Sequence, residues 1–200
     1  MRKKTIRIPM LLVLVSFCWL AGPVASAATR NESRSAGQPA IDVARLEMRI
    51  HDLINQERKN AGLPTLAWSQ PLQRIARDYS QDMATRNFFS HIDPEGRNFV
   101  QRYRRAGFKC AVRTGFFFGI RTNLGGENIA YNHLSSAIVH RKGQAMTSGE
   151  AEEQFAAAVV RQWMTSSSHR QNILTRHYRR EGIGVAIRKD GKVLITQNFC

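Results

Sequence analysis

The sequence carries no Gly-rich phosphate loop, no CxxC pair, no HExxH and no GxSxG. The local signatures of nucleotide binding, thiol–disulfide exchange, zinc proteolysis and the serine-hydrolase elbow are therefore missing. Its apolar run near the start, Met10 to Ala21, falls short of the roughly 20 residues that cross a bilayer as a helix. Acidic side chains are scarce, 15 Asp+Glu against 30 Lys+Arg. That excess suits anionic envelope polymers or phospholipid headgroups. Nucleic acid is not expected as a partner, because no recognisable binding motif is present. Three cysteines are too few for a disulfide-dense scaffold.

What stands at the start reads as an export signal. Arg2, Lys3, Lys4 and Arg7 precede the apolar run, and Ala25-Ser26-Ala27 follows it, the small-x-small pattern that signal peptidase recognises. Residues 1–27 are thus expected to be a cleaved signal peptide, with Ala28 as the mature N-terminus. Bulky Phe17 before Cys18 argues against a lipoprotein site. Loss of the signal leaves 26 basic and 15 acidic side chains, a formal +11. The expected location is secreted or extracytoplasmic, in a periplasm or at the cell surface, with no transmembrane anchor after cleavage. Cys110 and Cys200 then remain. In an oxidising compartment they favour one disulfide over two free thiols. Such a bridge is worth about 2–4 kcal/mol.

Residues 28–40, rich in Ser, Ala, Gly and Asn, read as a flexible linker. Residues 41–200 show no internal repeat and no second linker, and so form one domain of ordinary size. Leu46, Ile50, Leu53 and Ile54 predict a helix over about 42–60, stopped by Gly62-Leu63-Pro64. Ser69 and Pro71 open a second helix with Leu72, Ile75, Ala76, Tyr79 and Met83 as its buried stripe. A short third helix follows Gly96, and Thr147 with Glu150 predicts a capping box for a fourth, whose core face runs from Phe155 to Trp163. Ile183, Val185 and Ile187 then alternate with small residues, and Asp190-Gly191 turns the chain into a returning strand. Helices followed by a terminal hairpin indicate α+β. The stretches 109–124, with Phe116-Phe117-Phe118, and 132–149 show no clear pattern. The Phe run reads as a buried plug or as a lipid-facing lip.

A series of words then points to one family. They are Ile54-Asn55-Gln56-Glu57-Arg58, Leu63-Pro64-Thr65-Leu66-Ala67-Trp68, Ser90-His91, Gly126-Glu127-Asn128-Ile129-Ala130 and Trp163-Met164. Ser168-His169-Arg170-Gln171-Asn172-Ile173-Leu174, Gly182-Ile183-Gly184-Val185-Ala186 and Thr196-Gln197-Asn198-Phe199 complete the set. In this order and spacing the chain resembles the CAP superfamily: cysteine-rich secretory proteins, antigen 5 and pathogenesis-related proteins, with the SCP-like extracellular domain. The likeness is to the bacterial branch. The resemblance implies an α–β–α sandwich with a small antiparallel sheet between helices. It also implies a cleft lined by two histidines and two acids, which in some members holds a divalent metal. By motif the histidines are His91 and His169, and the first acid is Glu127. Where the second acid is expected, this chain has Thr165 and Ser166.

Two imidazoles and a carboxylate are a ligand set that Zn2+ or another divalent metal accepts, with water as the fourth ligand. Hydrolysis would also need a general base. Asp93 and Glu95 lie near His91 in sequence, while Glu152 and Glu153 lie 17 and 16 residues before His169, a long way along a helix. Ser90-His91 and Ser168-His169 are neighbours whose side chains diverge, without a nucleophile elbow. The gathering words are all expected in turn-rich segments. A lone histidine there ordinarily caps a helix, and Glu127 alone would brace a loop, but together the three indicate a shared polar cleft. His51, His133, His140 and His177 are expected at the surface. The leading functional reading is a monomeric secreted binding module for a lipid, sterol-like or anionic envelope ligand. The alternatives are a metal-dependent hydrolase using His91, Glu127 and His169, or a structural protein of the envelope. Fold alone does not choose among them.

Overall fold

The computed structural model describes residues 40–114, 121–137 and 146–200. The expected signal, all but the last residue of the linker, Phe116–Phe118 and His140 lie outside these. Helix α1, Val43–Asn60, begins where the Asp42 carboxylate accepts the backbone N–H of Arg45. It buries Leu46, Ile50 and Ile54 completely. After the two-residue strand β1, Ala67–Trp68, helix α2 spans Gln70–Arg86 with Ser69 as N-cap, and Asn87 ends it in the left-handed conformation. Helix α3, Phe99–Arg105, has a capping box between Asn98 and Gln101. The short strands β2, Val112–Thr114, and β3, Arg121–Asn123, pair with each other. Strand β4, Gly126–His133, leads into the one-turn helix α4, Leu134–Ala137. Helix α5, Ser148–Thr165, starts on the expected Thr147–Glu150 capping box, and helix α6 covers Ser167–Ile173. Strands β5, Arg180–Ile187, and β6, Lys192–Phe199, form the terminal hairpin.

The main sheet has the order β1-β5-β6-β4. Its β5–β6 and β4–β6 pairs are antiparallel as expected, whereas β1 joins β5 in parallel, so the sheet is mixed. A second difference concerns Gly126–Ala130, expected in a turn-rich segment. It is the buried start of β4, drawn into the sheet by pairing with Asn198 and its neighbours on β6. Gly, Glu and Asn are poor strand formers, so no local preference announces it.

Helices α1 and α5 cover one face of the sheet through Leu46, Ile50, Phe155, Val159 and Trp163, packed on Ile183, Val185 and Ile195. Helix α2 covers the other face. It comes so close that a Cβ on Gly182 or Gly184 would fall 2.0 Å from the backbone nitrogens of Gln73 and Arg77. Alternate glycines on β5 therefore admit helix backbone where any side chain would hold it off. Ser80 on α2 then donates to the Gly184 carbonyl at 2.8 Å. Under α3, Leu72, Ile75 and Tyr103 pack with a disulfide between Cys110 and Cys200, Cα atoms 5.6 Å apart. The bridge closes a 90-residue separation, for which chain entropy gives about 4–5 kcal/mol.

His51 is a correction. It is not a surface residue but 8% exposed. Its Nδ1 meets Glu181 Oε1 at 2.6 Å, its Nε2 meets the Asn55 amide at 3.2 Å, and Trp68 packs against the ring edge. The partner acid lies 130 residues away, beyond the reach of any local pattern.

Gly184→Ala is expected to force α2 off the sheet and cost about 1–3 kcal/mol or more, some 2–4 °C of melting temperature per kcal/mol for a domain of this size. Gly149→Ala, where an added Cβ meets nothing within 4 Å, should leave the melting curve within about 1 kcal/mol of wild type. Equal melting of both variants would show that the close packing is not a constraint.

Candidate functional site

Helix α2 delivers the loop that bears His91. Tyr79, near the end of its buried stripe, donates its hydroxyl to the Ser90 carbonyl at 2.5 Å. Ser90 Oγ accepts the backbone N–H of Ile92, and the buried Asp93 carboxylate accepts the N–H groups of Glu95 and Arg97 together with Arg97 Nε. Burial alone would raise the Asp93 carboxyl, but the bonds from Arg97 and Glu95 hold it below the usual range. Asp93 is therefore used up in shaping the loop.

Glu127 projects from β4 with its side chain 1% exposed. Its Oε1 meets His91 Nδ1 at 2.9 Å, and its Oε2 accepts Arg102 Nη2 at 2.5 Å. Arg102 comes from α3 and also donates through Nη1 to the carbonyls of Arg97 at 2.7 Å and His91 at 3.3 Å. Its guanidinium lies over the Tyr79 ring, 3.4 Å from the centroid. Burial pushes the Tyr79 hydroxyl well above its ordinary range, so the phenol stays protonated. When the neutral His91 ring donates from Nδ1 to the carboxylate, Nε2 keeps its lone pair on a side chain 51% exposed.

His169 sits on α6, half-buried, with an Nδ1 that is buried and has no hydrogen-bond partner. Burial first, and the charge of His91 second, lower its pKa below the ordinary value. The ring is thus neutral at pH 7, and it feels His91 electrostatically. A polar chain on the opposite face of the sheet fixes α6. Glu181 Oε2 accepts from Gln197 at 2.6 Å, Gln197 Oε1 from Asn128 at 3.0 Å, and Asn128 Oδ1 from Asn172 at 2.8 Å. Asn128 also donates to the His169 carbonyl at 3.2 Å. The fully buried Arg58 closes the far end of α6, donating to the carbonyls of Ile173 and Thr175.

The structure thus places His91 and Glu127 in direct contact, with His169 within electrostatic reach. Thr165 and Ser166 bond locally, to the Gln162 carbonyl and the Ser168 hydroxyl. Glu95 pairs with Arg86 and Arg97, Glu152 accepts the Asp42 N–H, and Glu153 pairs with Arg49. None of these carboxylates contacts His91, Glu127 or His169. His133 and His177 are exposed, as expected. Among the described residues no group of three His, Cys, Asp or Glu side chains is arranged to hold a metal ion. To serve as a direct ligand, Glu127 would have to release His91 or Arg102. Sequence reasoning missed Arg102 and Tyr79, because their parts depend on contacts across elements and not on any motif. In the same loop, Phe89 and Ile92 flank His91 at 41% and 54% exposure, and Phe89 meets Tyr131 edge to face at 4.9 Å.

Residues 51–199 match the family model CAP, the cysteine-rich secretory protein family. The membrane protein YlbC of Bacillus subtilis is 29% identical over 153 residues, 76% of this chain and 34% of its own length. The protein YkwD of the same organism is 30% identical over 157 residues, 78% of this chain and 49% of its own. The chain thus spans half or less of the curated relatives it matches. An extracellular SCP-domain protein from Bacillus anthracis superposes with a TM-score of 0.53 at 28% identity, over 78% of this chain and 40% of that one. An outer surface protein from Borrelia burgdorferi gives 0.58 at 17% identity, over 81% and 96%, a likeness of fold alone. Among the described residues no helix is long and apolar enough to cross a membrane.

Glu127→Gln would leave the Arg102 guanidinium without its counter-charge in a nearly closed site. Breaking one side of such a pair costs about 3–5 kcal/mol. Thermal melts are expected to show that loss equally with EDTA and with zinc, whereas a loss confined to the zinc-containing sample would make Glu127 a ligand before a brace.

Proposed function

Because the chain belongs to the CAP family, we propose that it is an extracytoplasmic binding module whose cleft takes an amphiphilic, anionic component of the cell envelope. One observation leads to this reading: both oxygens of Glu127 are engaged, by His91 and by Arg102. The cleft therefore presents a paired charge and hydrogen-bonding imidazoles, and its acid is committed to holding them in place. Next to it stands the exposed rim of Phe89, Ile92 and Tyr131, with Lys192 Nζ 4.3 Å from the Tyr131 ring centre. A polar head in the cleft and an apolar tail along the rim would use both surfaces. The basic excess of the chain favours an anionic head by long-range attraction.

A second reading has its own support, the buried Nδ1 of His169 that no donor meets. A divalent metal here would be held by His91 and His169, with Glu127 orienting His91 through Nδ1 as outer-shell carboxylates do. Such a metal would supply Lewis acidity. The chain's own residues would orient the ligands and exclude water, and the base of a hydrolytic scheme is not among the carboxylates described above.

Vesicle flotation of the mature protein separates these readings. With EDTA present, wild type should float with vesicles containing phosphatidylglycerol and much less with pure phosphatidylcholine. His91→Ala/His169→Ala and Phe89→Ser should each reduce the floating fraction several-fold while both variants remain folded. No flotation with either vesicle, or flotation indifferent to both variants, would contradict the binding proposal. Recovery of flotation only on adding zinc would move the site to the second reading.

A further inference from the structure

A cavity of about 430 Å³ opens between α2 and α3. Its size falls in the roughly 300–1,000 Å³ range of small-molecule sites. Ile75 and Tyr79 contribute apolar surface to its lining. Asp78 and Asp82, one helical turn apart on α2, supply acid on one wall, and Arg102 and Arg105 on α3 supply base on the other. Exposed charges on neighbouring helices are usually just solvated, and across this cavity the acids of α2 and the arginines of α3 do not pair with each other. Neither Asp78 nor Arg105 makes a hydrogen bond or ion pair with the described residues. Arg77, which feels the charge of Asp78, is committed to Glu47 at 2.5 Å. Asp82 has only a long 3.4 Å contact with Arg86, which pairs more closely with Glu95 at 2.6 Å.

The second observation is Arg102 itself. Its side chain is nine-tenths buried, yet its Nε has no acceptor. The other two lining charges, Asp93 and Arg97, satisfy each other, so they close part of the wall without contributing a free group. What remains is an unpaired acid facing an unpaired base across an open space, with an aromatic and an aliphatic side chain between them.

We propose that this cavity binds a small zwitterion, its ammonium end against Asp78 and Asp82 and its anionic end against Arg105 and Arg102. Two sources share that chemistry: a short peptide with free termini and a phosphoethanolamine headgroup. The site adjoins the His91–Glu127 contact and shares Arg102 with it, but zwitterion binding here does not require the amphiphile reading. An occupant would therefore touch the guanidinium that holds Glu127 and the His91 backbone.

The test uses the full mature chain with EDTA, titrated by calorimetry with alanyl-alanine and, separately, with glycerophosphoethanolamine. Wild type is expected to bind at least one of them, and Asp78→Asn and Arg105→Gln should each weaken that binding about tenfold or more. Both residues are at the surface, and an unchanged melting temperature verifies the fold. From the ligand side, N-acetyl-alanyl-alanine should bind wild type as poorly as the free peptide binds Asp78→Asn, with no further loss when the two changes are combined. Stronger binding of the peptide than of the headgroup assigns the site to peptides, and the reverse order assigns it to the lipid headgroup. No heat from either probe up to ~10 mM, or affinities untouched by both substitutions, would overturn the proposal.

Discussion

A full negative charge closed off at the sheet's edge strand organises the residues around His91. Burying a lone carboxylate costs several kcal/mol unless its partners are well placed. Glu127 meets that condition with a guanidinium on one oxygen and an imidazole on the other. The same guanidinium grips the carbonyls of His91 and Arg97. His91 is therefore held twice, at its ring by the acid and at its backbone by the acid's counter-ion. Helix α3, the 90–98 loop and β4 are bound into one unit by three side chains.

That unit is positioned by a steric constraint on the far side of the sheet's centre. Gly182 and Gly184 let α2 lie directly on β5, and α2 ends at Asn87 with its chain aimed into the loop that carries His91. The next residue along β4 faces the other way and bonds the His169 carbonyl. Asn128 is one link in the chain from Glu181 through Gln197 to Asn172, and it is this chain that seats α6 and His169. Adjacent residues of one strand thus fix the two imidazoles from opposite faces. Such a polar network is stable only when its members are satisfied, and the links from Glu181 through Gln197 and Asn128 to Asn172 are all made.

Much of this was legible in the sequence wherever the controlling interaction is local. The Thr147–Glu150 box, the Ser69–Pro71 helix start and the Asp190-Gly191 hairpin all lie within a few residues of what they govern. The family resemblance supplied what local patterns lack, the convergence of His91, Glu127 and His169 from distant segments. Neither route revealed the strand at Gly126–Ala130, because its stability comes from pairing with β6 and not from its own residue types. The burial of His51 was hidden for the same reason, its partner Glu181 being remote. Arg102 was invisible as one arginine among many in a basic chain. Its significance rests on lying 25 residues from the acid it neutralises.

Glu127 fixes the state of the His91 ring, and imidazole nitrogen chemical shifts report that state directly. In a long-range 1H–15N correlation spectrum at pH about 8, where an ordinary histidine is neutral, His91 should be held as the Nδ1–H tautomer with an unprotonated Nε2. On lowering the pH, His169 should titrate below the ordinary histidine value, as its burial requires. A His91 ring in the Nε2–H form, or one averaging between tautomers as a free imidazole does, would contradict the central claim.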